Sequence, residues 1–242
     1  MRERFPLIDA ARGMIAALVV LHHLCYDLTA FCGVSLPFLQ SPLFLAARYA
    51  AVCTLFVLSG VSCVLSHSNL RRGALTLGAG LLLTGATAVF LPSQRILFGV
   101  LHCLGFCRLL WAAGLGRAVR RAPGISLGLC AVSAVLLRRL PEGVLTVPFA
   151  GELLLPPPPA GLGWLGLWDP SFFSADYFPL LPWAPVFFAG GALGAFWERR
   201  GFPDALRRDP VPALSRLGRH ALPVYLLHQP VLFLLLRPLF SR

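Results

Sequence analysis

Apolar residues run in stretches of about twenty, broken by short clusters of Arg, Pro and Gly. A helix of that length crosses a hydrocarbon layer of about 30 Å. Seven such stretches are legible, at about 7–30, 43–66, 73–91, 96–116, 123–140, 178–197 and 219–239. The pattern predicts an all-α polytopic transmembrane helix bundle forming a single domain over residues 1–242. Segment 141–177 departs from it. Four successive prolines, Pro156 to Pro159, cannot continue a helix. An outer loop is predicted there, dipping into the membrane interface through Trp164, Trp168 and Phe172–Phe173. No internal repeat is evident, which weighs against inverted-repeat transporters.

Composition sharpens this picture. The chain is 57% hydrophobic and 13% charged, outside the usual range of soluble domains. All 21 basic residues are Arg. They sit between apolar runs and form no basic stripe interleaved with aromatics, so no nucleic-acid partner is expected. With the N-terminus cytoplasmic, thirteen loop Arg fall inside and five outside. The positive-inside rule favours that orientation, which seven spans carry to an outer C-terminus. The first span resembles a signal peptide, but Asp9 and Arg12 interrupt it and an uncleaved span is expected. Six of seven Cys lie inside apolar runs, as small hydrophobes do. Cys103 and Cys107 are four apart with no second pair, so no metal is expected.

The first span concentrates the chemistry. A charge near the bilayer centre costs about 2.5–3.5 kcal/mol on insertion scales, and Asp9, Arg12, His23 and Asp27 share this one helix. At about 100° per residue, Arg12 lies roughly 60° and His23 about 40° from Asp9, with Asp27 almost in register. His22 points roughly 140° away, so His23 is the candidate histidine. Asp9 and Arg12 are spaced to pair at i, i+3. Asp27, one turn beyond His23, is placed to accept its N–H and hold a base in one tautomer. Headgroup anchoring for the first pair and an interhelical hydrogen bond for the second remain open.

Other spans carry converging groups. His102 has the depth to line a cavity with His23. Tyr225, His228 and Gln229 share a face, and Pro230 frees the carbonyl of Leu226 beside them. Arg48 is placed to snorkel. Ser59–Gly60 permits close helix approach. Asp176 and Tyr177 sit at an outer mouth, where a substrate or an interface is met. Arg71 and Arg72 lie on the inner side with His67, Arg219 and His220, suited to an anionic cofactor or to plain solvation.

Three groups of residues carry a resemblance. They are Ile8-Asp9-Ala-Ala-Arg12-Gly13, His23-Leu-Cys-Tyr-Asp27-Leu28 and Leu55-Phe56-Val-Leu-Ser59-Gly60. Three more continue it: Gly99-Val-Leu-His102-Cys-Leu-Gly105, Asp176-Tyr-Phe-Pro-Leu-Leu-Pro-Trp183, and Leu217 to Pro230. Together they resemble a bacterial membrane family grouped with the catalytic domain of heparan-alpha-glucosaminide N-acetyltransferase. The resemblance implies acetyl transfer across a membrane, from cytosolic acetyl-CoA to an amino sugar or related acceptor on the far side. It also implies a bacterial inner-membrane location. The loop matching the animal enzyme's proposed catalytic histidine, about 31–42, holds no His. His23 therefore rests on helical geometry.

The expected function is a membrane-embedded acyltransferase. Catalysis is assigned to His23, Asp27, His102 and His228. Acetyl-CoA, the acyl donor, is assigned to Asp9, Arg12, Ser59, Arg71 and Arg72. The acceptor is assigned to Arg48, Asp176, Tyr177, Tyr225 and Gln229. Direct transfer and an acyl-histidine intermediate are both open. Expected partners are the lipid bilayer, acyl-CoA and a sugar or glycan acceptor, with a homodimer left open. A transporter with a proton or solute path is the alternative, and a non-enzymatic assembly protein a third.

Overall fold

The computed structural model describes residues 4–239. Proline starts many of its helices, as expected where the N–H has no partner anyway. Helix α1 (Pro6–Cys32) begins this way and ends on Gly33 in the left-handed region, φ 69°. It is followed by α2 (Pro42–Leu65), α3 (Asn69–Phe90) and α4 (Val100–Leu110). Then come α5 (Gly116–Arg121) and α6 (Pro123–Leu137). A hairpin of β1 (Val144–Val147) and β2 (Gly151–Leu154) precedes α7 (Leu180–Arg200), α8 (Pro212–Arg219) and α9 (Ala221–Leu236).

The fold is an all-α membrane bundle. Six helical segments among the described residues are long and apolar enough to cross a bilayer. They correspond to six of the seven expected stretches. The remaining one, 96–116, is α4 followed by a π-helical stretch, Trp111–Leu115, and then α5. Gly114 breaks the run with φ 140°, a conformation that suits glycine. Large apolar side chains stay exposed on these helices, among them Leu82, Phe90, Leu129 and Leu234. Acyl chains are the natural solvent for such surface.

The chain divides into two compact units. One comprises residues up to Leu55 and those from Phe202 onward; the other runs from Phe56 to Gly201.

In the first unit α1 packs against α8 and α9. The α1–α8 contact is a backbone approach. A Cβ on Gly13 would strike the Leu214 carbonyl, and one on Gly218 the Asp9 carbonyl. Ser215 is fully buried there, its hydroxyl 2.6 Å from Asp209 Oδ1 and 3.2 Å from the Pro6 carbonyl.

In the second unit α3 packs on α4, and α6 on α7. The α2 segment from Phe56 crosses α7 closely. A Cβ on Gly60 would strike the Phe187 carbonyl, and one on Gly190 the Val57 carbonyl. This is the small-residue packing that membrane helices use.

The β hairpin falls where a plain loop was expected, pairing Val144 with Leu154 and Val147 with Gly151. Four-residue strands are too short to announce themselves by alternation. Beyond it, Trp164 packs on Phe98 and Phe106, whereas Trp168 and Phe173 remain exposed.

Candidate functional site

In the first unit α1 supplies Asp9, Arg12, His23 and Asp27, and α9 supplies Tyr225, His228 and Gln229. The polar stripe of α1 faces inward. Met14, Leu18 and Leu21, on the opposite side of the helix, are exposed, while Asp27 has no exposed surface. A carboxylate so enclosed needs donors. Gln229 Nε2 donates to both of its oxygens, each at 3.0 Å.

His228 sits beside this pair and is 9% exposed. Its Nδ1 lies 2.7 Å from the Tyr225 carbonyl, an acceptor, so Nδ1 carries the proton and donates. The lone pair then resides on Nε2. That atom is buried and has no hydrogen-bond partner among the described residues. The His23 ring lies against His228, centroids 4.8 Å apart, and Tyr225 borders it at 5.5 Å. Asp27 is close enough for its charge to act on the His228 ring. The result is an imidazole of fixed tautomer, a bare basic nitrogen, a second imidazole in contact and a carboxylate behind. Such a group takes a proton from a bound hydroxyl or amine.

The pairing differs from the expected one. Asp27 was expected to receive the N–H of His23; its partner is the Gln229 amide. One amide nitrogen faces the carboxylate symmetrically, 3.0 Å from each oxygen, and Asp27 lies on the side of α1 that meets α9. Gln229 Oε1 and His22 Nδ1 are likewise buried without partners among the described residues. Asp9 and Arg12 form the i, i+3 ion pair at 2.9 Å, half-buried. Fourteen residues separate Asp9 from His23, about 21 Å along the helix. Arg48 is exposed, and its charge acts on His22.

The second unit holds the other candidates. His102 Nδ1 accepts the Gly99 N–H at 3.1 Å, so Nε2 carries the proton and donates to Thr84 Oγ1 at 3.1 Å. The Thr84 hydroxyl donates in turn to the Ile96 carbonyl at 2.7 Å. Both ring nitrogens are thus engaged in fixing the start of α4. Asp176 Oδ2 accepts from Val100 N–H at 2.9 Å, capping the same helix end. Tyr177 donates its hydroxyl to the Gly163 carbonyl at 2.6 Å. Burial, with the Asp169 charge second, pushes its phenol up to about 12. Ser59 is buried in the α2–α7 seam beside Gly60, and Arg71 and Arg72 are exposed at the start of α3. A cavity of about 320 Å³ lies between Pro123–Ile125 and Arg199–Arg200 and includes none of the candidate residues.

The sequence reasoning passed over Arg108, a cation inside α4 whose Nε is buried without a partner among the described residues. Its position within an apolar run was the available signal. Among the described residues no group of three His, Cys, Asp or Glu is placed to hold a metal.

The family model for the heparan-alpha-glucosaminide N-acetyltransferase catalytic domain matches residues 4–230. No curated protein and no solved structure matches the chain.

Proposed function

The chain belongs to the heparan-alpha-glucosaminide N-acetyltransferase catalytic family, and from that premise we propose that it moves an acetyl group from cytoplasmic acyl-CoA to a hydroxyl or amine acceptor, a sugar, at the outer side. A multi-pass protein of a bacterial inner membrane is the proposed setting. The observation that carries the reading is the bare, buried Nε2 of His228, held against His23 with Asp27 close by.

The acceptor's nitrogen or oxygen attacks the thioester carbonyl carbon. Its proton passes to His228 Nε2, and Asp27 provides the negative charge that steadies the imidazolium. The C–S bond then breaks. The departing thiolate takes the proton back, leaving free coenzyme A and the acetylated acceptor. His23, whose ring lies against that of His228, serves as the second proton carrier. Gln229 keeps Asp27 in place and offers Oε1 to an acceptor hydroxyl or amine. Arg12, steadied by Asp9, is assigned to the donor's phosphates. His102 and Asp176 hold the start of α4 within the second unit.

Proteoliposomes loaded with acetyl-CoA and bathed in amino sugars or polyols test this. Acetylated acceptor outside, with coenzyme A accumulating inside, is the expected result. Solute flux with the thioester intact would replace the transferase by a transporter.

A further inference from the structure

Arg108 lies in the last turn of α4 among apolar neighbours, where a cation without a partner is costly. Its Nε is buried and without a hydrogen-bond partner among the described residues. None of the ion pairs formed by the described residues includes it. The charged side chain that acts on it is another cation, Arg72, alongside the thiols of Cys63 and Cys107. Arg72 is exposed at the start of α3, so the cost falls on Arg108, whose buried Nε has no carboxylate beside it among the described residues; a bound anion offsets that cost.

The backbone nearby favours an anion too. The Arg108 Cβ lies 3.1 Å from where a Cβ on Gly73 would stand, so Arg108 packs one turn inside the amino end of α3. The first N–H groups of that helix have no intrahelical acceptor, and the Ser68 side chain does not cap them. Asn69 Nδ2 donates to the Cys63 carbonyl at 2.7 Å and the Ser66 carbonyl at 3.1 Å, fixing the turn between α2 and α3. A fixed helix start, a forked guanidinium and a second Arg are the elements of a phosphate site.

We infer that Arg108, with Arg72 and the amino end of α3, binds a phosphate-bearing ligand. Under the acyl-CoA reading, on which this identification of the ligand rests, the phosphate belongs to the donor. An anionic phospholipid headgroup has the same chemistry.

The test uses the full chain in nanodiscs, titrated with coenzyme A and with pantetheine, which lacks phosphate. The parent is compared with Arg108→Met and Arg72→Met. Coenzyme A affinity is expected to fall by about tenfold or more in Arg108→Met and severalfold in Arg72→Met. Pantetheine affinity is expected to stay level in all three. Ligand-free Arg108→Met is expected to melt no lower than the parent, because an unpaired charge has gone. Unchanged coenzyme A affinity in Arg108→Met overturns the inference. So does a misfolded Arg108→Met together with an Arg72→Met that binds as the parent does. If the parent ignores coenzyme A but retains phosphatidylglycerol through Arg108, the phosphate site stands and the acyl-CoA reading falls. Retention of neither overturns the site as well.

Discussion

Asp27 shows how much one side chain depends on its partner. With no exposed surface and both oxygens bonded to Gln229 Nε2, it loses that donor in Gln229→Leu. That change is expected to lower stability by about 1–3 kcal/mol, measured by thermal unfolding in a fixed nanodisc. Gln229→Glu, which sets a second carboxylate against the first, is expected to cost at least as much. Tyr177 makes a pH prediction. Its phenol is pushed up to about 12, so the bond to Gly163 is fully present below the ordinary value near 10. It is lost as pH rises through about 12. Absorbance titration of the tyrosines is expected to show a late step that Tyr177→Phe removes. Isolated polar residues such as His23, Asp27 and His228 were legible in the sequence, because charge in an apolar run demands a reason. Their partners were not. A helical wheel gives direction about its own axis and says nothing of which helix lies opposite, so the Gln229 bond was hidden. The closed network of His102 with Gly99, Thr84 and Ile96 was hidden for the same reason.

At the scale of elements, length and hydropathy carried most of the fold. Six apolar stretches correspond to long helical segments in the structure. The stretch at 96–116 is interrupted because Gly114 takes a positive φ, which composition does not encode. Short elements escaped as well. Helix α8 has eight residues, and the hairpin strands have four each. Yet α8 forms one of the closest contacts, through Gly218 against Asp9 and Gly13 against Leu214. Gly218→Ala is therefore expected to push α8 off α1, costing about 1–3 kcal/mol or more. Gly128→Ala in α6 has open space around it and is expected to be neutral or to stabilise by about 0.5–1 kcal/mol. Unfolding measured side by side on the two variants checks the contrast.

At the scale of the molecule, the bundle and the family match describe a multi-pass membrane protein of an acetyltransferase-like family. Orientation is carried by the excess of Arg on one set of loops. Under the proposed orientation, a cysteine placed near His67 reacts with membrane-impermeant reagents from the cytoplasmic side. One placed in the Pro156–Pro159 run reacts from the outside. In the proposed reaction the His23–His228 contact handles the proton of transfer. Single-turnover transfer from labelled acetyl-CoA, with coenzyme A binding measured on the same samples, tests it most directly. Binding is expected to hold in His228→Ala while transfer falls by about 10²-fold or more, with His23→Ala also slowed. Parent-rate transfer by His228→Ala would remove His228 from the proton's path.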